Sequence, residues 1–397
     1  MGGLAFVAAD TLLPNMVNSL GGPDWMISVS PVLVMTGMLG PQLLAAHWIE
    51  QKAAMHRYVA ILGLFQRSIF LMAAIGLFVF GGTMPLIALL IAVLAPLISG
   101  ISSGFSIPAW SELISRTIPP EIRGSLHATR NIIGGIIALG AGWGVHEILG
   151  IFPDYRGYSL LFLLSFIFFM ISWFFFIQLR EIPMPERIDG ASSNFFESLK
   201  MLPGLLRKDR QLRLMAIVSF FGPSIFIVIP FLAVRAIEVT GQEESFVGML
   251  VLAKTVGVLL CNFIGGYLGN KFGGKILMLT SRVLRIVVCL LIPFAVSPAA
   301  FLVIFFLFGG SFAMNIVGHH LLSIEISPDG RRPTYVALIA AAGFPGIILV
   351  PIISASIHYL TPSMLPLAMV SLGGTVVGLL AISFIREPRK SFQSQTT

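Results

Sequence analysis

Five polar residues lie in otherwise apolar stretches and are of types that could do chemistry: Asp10, Lys254, Asn315, His319 and His320. Asp10 stands in Ala9-Asp10-Thr-Leu-Leu-Pro14. Burial would raise the pKa of such a carboxyl and suit it to carry a proton or to bind a cationic group. The competing reading is a structural acid that pairs with a neighbouring base or caps a kink. Lys254, followed by Thr255, lies about 12 Å inside its apolar run at 1.5 Å per helical residue. It could hold an anionic solute, or pair with an acid that releases it; the competing reading is a lysine snorkelling to the outer face. His319 and His320, with Asn315 one turn before, could titrate near neutral pH and couple protons. Neighbours on a helix point about 100° apart, so the two imidazoles do not easily share one metal. Either can equally be a satisfied packing histidine.

These residues matter because of what surrounds them. Of 397 residues, 56% are hydrophobic and 11% are charged. A soluble domain carries about 25% charged residues, so this chain has too few to cover a water-facing surface. Its 32 Phe and 40 Gly suit apolar helices packed closely through small residues. An ionisable group at the centre of a bilayer costs several kcal/mol unless paired or hydrated, which makes each one a functional candidate. Cys261 and Cys289 each lie inside an apolar stretch, form no metal-ligand spacing and read as small core residues. The pI of 9.7 does not point to nucleic acid, because the positive charge falls in short loops between apolar runs.

Apolar runs of about 20 residues are the length of a spanning helix. Twelve are expected, over about 2–19, 25–46, 58–80, 85–109, 127–150, 159–179, 213–238, 246–269, 276–297, 299–324, 334–358 and 365–385. Turns such as Gly21-Gly-Pro23, Gly81-Gly-Thr-Met-Pro85 and Ser297-Pro298 separate them. Nineteen of the 25 Lys and Arg residues then fall on one side of the membrane. The other side has Arg156 and Arg235, while Arg67, Lys254, Arg282 and Arg285 lie within spans. The asymmetry places both termini and the long connection 181–212 in the cytoplasm of a cell with the protein in its inner or plasma membrane. In that connection, Asn194 to Leu206 reads as a short amphipathic helix on the membrane surface, followed by the basic Arg207-Lys-Asp-Arg210. The first span opens at Met1 with no basic residue before it and is no signal peptide; a start upstream of Met1 is expected.

The chain also repeats itself. Arg57 and Arg67 find counterparts 218 residues later at Lys275 and Arg285. Pro120-Glu-Ile-Arg123 returns 208 residues later as Pro328-Asp-Gly-Arg331, and Arg180 returns 206 residues later as Arg386. Nearly equal offsets at three separated places indicate duplication, and a duplicated apolar chain of this length has the pattern of a secondary transporter.

The segment Gly266-Tyr-Leu-Gly-Asn-Lys271-Phe-Gly273-Gly-Lys275 resembles the loop signature G-x-x-x-D-[RK]-x-G-[RK]-[RK] of the major facilitator superfamily. Asn270 stands where that signature has an acid, and Gly274 where it has a base. The first-half counterpart, Trp48-Ile-Glu-Gln-Lys52-Ala-Ala-Met-His-Arg57, keeps only the final Arg. The resemblance covers the whole chain. It implies an all-α membrane protein of twelve transmembrane helices in two pseudo-symmetric six-helix bundles, 1–180 and 213–397, joined by the linker 181–212. It further implies that spans 1 and 10, with Asp10 on the first and Asn315, His319 and His320 on the second, line a cavity, and that Glu147 on span 5 is a partner for Lys254 on span 8. Arg67 and Arg285, on spans 3 and 9, would lie outside that cavity, within snorkelling reach of the cytoplasm as Arg282 is, and in a structural rather than a functional role. Gly266, Lys271, Gly273, Lys275, Arg123, Arg331 and Arg332 would form the inner gate, or else supply positive-inside charge alone. The Gly-rich run from Gly134 to Gly144 lacks the Gly-Pro step of the family's antiporters. Ser102, Ser103, Ser106, Ser219 and Ser224 can line a polar path, although serines in spans are commonly packing residues. Bends are expected at Gly222-Pro223, at Pro230 and at Gly343-Phe-Pro345-Gly346.

The expected function is secondary transport of a small solute by alternating access in a monomer, with proton coupling through Asp10. The alternatives are a facilitator without proton coupling and a receptor or sensor that does not transport. No nucleotide-binding loop of the G-x-x-x-x-G-K-[ST] kind occurs, which argues against direct ATP drive. No nucleophile, metal cluster, cofactor motif or acid–base constellation suggests an enzyme.

Overall fold

The structure is a computed structural model that describes residues 2–49, 56–117, 120–179, 204, 206–328, 332–361 and 363–386. Among them the regular structure is helical throughout. Residues 181–203 and 205 of the linker 181–212 lie outside the described residues, as do Arg180, Arg331 and the side chains of Arg123 and Arg332. Fourteen α-helices are named here: α1 Leu12–Ser19, α2 Asp24–Val29, α3 Leu33–Ile49, α4 His56–Phe80, α5 Pro85–Thr117, α6 Pro120–Ile151, α7 Tyr155–Phe176, α8 Arg210–Phe220, α9 Ile229–Thr240, α10 Phe246–Phe272, α11 Gly274–Leu291, α12 Pro298–Glu325, α13 Arg332–Leu360 and α14 Met364–Phe384.

Among the described residues, ten segments are long and apolar enough to cross a membrane, and they coincide with ten of the twelve expected spans. The expected spans 2–19 and 25–46 are helical in pieces. A 3₁₀ segment, Gly2–Val7, precedes α1, and a 3₁₀ turn, Ser30–Val32, separates α2 from α3. Pro31 accounts for the second break, since it offers no backbone N–H to a continuing helix. Some helix starts carry the side-chain acceptors that free N–H groups require. Asp154 Oδ1 accepts from Arg156 N at 2.9 Å, Asp209 Oδ1 from Gln211 N at 2.8 Å and Ser297 Oγ from Ala300 N at 3.3 Å.

Two compact units result: residues 1–195 with 243–249, and residues 196–242 with 250–397. In the first, α5 packs along α3 and α4, and α4 along α7. Glycine permits the closest approach: a Cβ at Gly37 would lie 2.3 Å from Leu97 O, and one at Gly100 2.4 Å from Val34 O. In the second unit α11 packs on α12 and α14, and α8 on α13 and α14. On α10 and α12 the backbones touch, so that a Cβ at Gly309 would meet Lys254 O at 2.0 Å. The outer faces stay apolar. On α11, Val283, Val287 and Leu290 form an exposed stripe while Ser281, Arg282, Arg285 and Cys289 turn inward. This is the inverse of a soluble helix and is what a lipid-facing helix requires.

Candidate functional site

In the second unit, the expected span 213–238 is two helices rather than one. α8 stops at Phe220, the stretch Gly222–Ile227 is 3₁₀, and α9 resumes at Ile229. Pro223 causes the break, because it cannot donate and its ring crowds the preceding turn. The Phe221 N–H still bonds Ile217 O, but the helix ends there, and the break carries the negative end of its dipole. Two arginines one turn apart on α11 answer it. Arg282 Nη2 donates to Val218 O at 3.2 Å, and Arg285 Nη1 donates to Gly222 O at 2.6 Å.

Both guanidinium groups are buried, with relative exposures of 0% for Arg282 and 1% for Arg285. Neither snorkels to the cytoplasmic side, although both stand within reach of it. They face the α8 break instead, because the lipid-facing stripe of α11 lies on the opposite side. Spacing could have signalled this: residues three apart share a helix face, and the Val283, Val287 and Leu290 series occupies the other. α14 reaches the same spot through Gly378, where a Cβ would lie 3.2 Å from Arg282 Nε. α13 reaches it through Gly343, where a Cβ would lie 3.3 Å from Ser219 O, and through Gly346, where it would lie 2.0 Å from Phe220 O.

His319 joins this group. Its Nε2 is 2.9 Å from Ser219 Oγ, while His320 points away and is exposed. Asn315, one turn earlier, is half-buried, and its Oδ1 has no hydrogen-bond partner among the described residues. Also without partners among the described residues are Nε and Nη1 of Arg282 and Nε of Arg285. A second polar strand runs beside the break. Ser224 Oγ is 3.3 Å from Thr375 Oγ1, and Thr375 Oγ1 donates to Ser371 O at 2.8 Å. Of these, Ser219, Ser224, His319 and Asn315 were visible in the sequence as path residues. Thr375 and Ser371 gave no signal, being small polar residues in an apolar run.

Lys254 lies on α10, half-buried, beside the Gly309 crossing. The loop resembling the family signature has a clear local logic. Gly273 has φ 85°, a left-handed value that favours glycine, and it starts α11. Gly274 N donates to Glu325 Oε2 at 3.0 Å. Lys275 Nζ donates to Ser383 O at 3.3 Å and also to Ile385 O, closing the end of α14. Lys271 is exposed and lies 5.1 Å from the Phe272 ring, and Gly266 is exposed.

In the first unit, Asp10 sits at the break between the 3₁₀ segment and α1, half-buried, and its Oδ1 accepts from Thr11 Oγ1 at 3.2 Å. The N–H groups of Thr11, Leu12 and Leu13 converge on Ala8 O, and Asn15 Nδ2 donates to Thr11 O at 3.0 Å. Thr11 and Asn15 are buried. Arg67 Nε donates to Phe169 O at 2.9 Å and its Nη1 to Gly63 O at 2.6 Å. Gln66 Nε2 donates to Ser99 Oγ and Ser103 Oγ at 3.1 and 2.8 Å, while Ser102 and Ser106 hydroxyls are buried without partners among the described residues. Glu147 is exposed near the end of α6. The polar group that sequence reasoning missed is centred on Tyr158. Its hydroxyl donates to Glu244 Oε2 at 2.9 Å and accepts from Ser19 Oγ at 3.3 Å. Burial raises the Glu244 carboxyl above its ordinary value, against the opposing effect of the Tyr158 hydrogen bond. Nearby, His146 Nδ1 is 2.9 Å from Ser245 O.

Residues 214–396 match the family model of the Major Facilitator Superfamily. The chain is 28% identical over 171 residues to the uncharacterized MFS-type transporter YqjV of Bacillus subtilis (strain 168), a match covering 42% of this chain and 41% of that protein. The chain thus spans about two-fifths of the length of this curated relative. Among solved structures, the nucleoside transporter NupG shares the fold with a TM-score of 0.69 at 16% identity, over 97% of this chain and 96% of that one. A D-xylose–proton symporter does so with a TM-score of 0.69 at 14% identity, over 98% and 96%. A bacterial homologue of the iron transporter ferroportin, in its inward-facing state, gives a TM-score of 0.64 at 14% identity, over 96% of each chain. The ten apolar helices of the described residues and these matches agree on a multi-pass membrane protein that shares the fold of these transporters and whose residues 214–396 match the Major Facilitator Superfamily.

Proposed function

We propose that this chain is a secondary transporter that moves a small solute across the membrane by alternating access. It works with twelve spans in two six-helix halves, 1–180 and 213–397, and with both termini in the cytoplasm. The observation that carries this reading is the α8–α9 break: a discontinuous membrane helix whose free carbonyls meet buried polar side chains. Irregular backbone at membrane depth persists where it is enclosed by protein or lines a path, and transporters build solute sites from such breaks. The family and the shared fold support it. Asp10, at the other break, is the residue assigned to proton coupling, and Lys254 and His319 are the further solute or coupling residues. The cytoplasmic residues Gly266, Lys271, Gly273, Lys275, Arg123, Arg331 and Arg332 serve the inner gate.

Reconstitution in proteoliposomes tests the reading. Nucleosides and pentoses, named for the structural neighbours, head the solute panel. Saturable flux is expected, and accumulation should follow an imposed proton gradient. Binding of a solute with no flux in either direction would leave a receptor in place of a transporter. If Asp10→Asn keeps both flux and its pH dependence, coupling through Asp10 fails and a facilitator remains.

A further inference from the structure

Arg282 and Arg285 are charged beyond what their surroundings offset. Arginine cannot shed its proton in a protein, so burial cannot neutralise it as it would a lysine or a histidine. A buried cation is costly unless an anion faces it. Among the described residues neither guanidinium has an ion-pair partner, and each is met by one backbone carbonyl. Val218 O belongs to the end of α8, which supplies about half an elementary charge, and Gly222 O to the 3₁₀ stretch beyond it, against two full charges. Three N–H-bearing nitrogens remain without acceptors: Arg282 Nε, Arg282 Nη1 and Arg285 Nε. Beside them the Ser219–His319 pair uses one donor internally and leaves one over, against the one unpartnered acceptor nearby, Asn315 Oδ1. Donors thus outnumber acceptors around one spot, and they do so at the α8–α9 break, where the backbone of this unit is already open.

We infer that this spot in the second unit binds the oxyanion head of a small solute, a carboxylate or a phosphate, between the Arg282 and Arg285 guanidinium groups. The planar fork of guanidinium matches two oxygens of such a group, and the match is strongest out of water. A single α11 positions both arginines, Pro223 opens the helix they face, and Gly378 leaves room for the Arg282 head. Naming this anion as the transported cargo rests on the transport reading; the binding itself does not.

Thermal unfolding of the purified full chain in detergent tests it. Sodium acetate or sodium phosphate is titrated in, with sodium chloride holding the ionic strength constant. A saturable rise in Tm of roughly 3 °C is expected from one of the two salts, as for any ligand that binds only the folded state. A phosphate response without an acetate response identifies a phosphate-bearing ligand, and the reverse a carboxylate. Arg282→Met and Arg285→Met should fold and lose the rise. Arg282→Lys, which keeps the charge and loses the fork, should need about tenfold more anion for the same rise. The assignment is overturned if the wild-type Tm follows ionic strength alone. It is equally overturned if both Met variants respond as the wild type does. Proteoliposomes separate the two readings. Flux of a neutral solute, untouched by either anion, together with a Tm that follows ionic strength alone would keep transport and sink the anion site; anion binding without flux would do the opposite.

Discussion

Arg67 and Arg285 occupy matching places in a duplicated sequence and have come to differ. Arg67, on α4, is half-buried and donates to two carbonyls, Phe169 O and Gly63 O. Arg285, on α11, is fully buried, donates to Gly222 O, and has a second buried arginine one turn away. The position that answers Arg282 in the first half is Leu64, which is 39% exposed. One copy thus places an arginine that ties neighbouring helices together. The other concentrates charge at a broken helix. Duplication supplied the scaffold, and divergence at Leu64 and Arg282 made the two faces chemically unlike.

Transplanting the charge is the strongest way to break this comparison. Leu64→Arg would put a guanidinium on a lipid-facing side of α4, with a penalty of about 3 kcal/mol for a charge well inside a span. The expected result is a marked loss of folded protein in the membrane fraction, read by detergent extraction and size-exclusion chromatography. Normal yield would mean that Leu64 does not face lipid. The next contrast is one of sign. Arg67→Met removes two charge-assisted hydrogen bonds and should destabilise by about 1–3 kcal/mol. Arg282→Met removes a buried cation without an ion-pair partner among the described residues, and in low-anion buffer it should leave stability unchanged or raise it by about 1–2 kcal/mol. Equal losses in both, measured by thermal unfolding, would erase the distinction between the two arginines.

The smallest effect belongs to the first unit's own buried charge. The Glu244 carboxyl is raised by burial, so the folded chain holds its proton more tightly than the unfolded chain does. This contribution to stability is complete below the ordinary glutamate value of about 4.3 and is lost as pH rises through the raised value. Glu244→Gln keeps an acceptor for the Tyr158 hydroxyl and removes the ionisation. Its Tm should exceed the wild type's at pH 7, and the two should converge below about pH 4. A gap that stays constant with pH would show that Glu244 keeps its ordinary value.

The spans were legible because bilayer thickness imposes a length and an apolar composition that any reader can count. Loop chemistry was legible too: Gly273 adopts the left-handed turn that only glycine takes easily, and Lys275 closes a helix end. The first two segments were not, because their breaks depend on local backbone choices around Asp10 and Pro31 that a hydropathy pattern does not record. The Arg282–Arg285 face was half legible. Their shared face follows from spacing, yet two arginines in an apolar run read as residues reaching for water. Tyr158 and Glu244 lie 86 residues apart, and no local pattern joins them.

The sequence by itself determined the helical, membrane-spanning class of this protein and the positions of ten spans among the described residues, because those depend on composition, periodicity and length. Only the tertiary structure decided which buried charges are met. Whether Arg282 finds lipid headgroups or the carbonyls of a broken helix depends on which side of α11 faces α8, and that is fixed by packing through Gly343, Gly346 and Gly378. Charge in a low-dielectric interior takes its meaning from neighbours a few ångströms away, and those neighbours are distant in the chain.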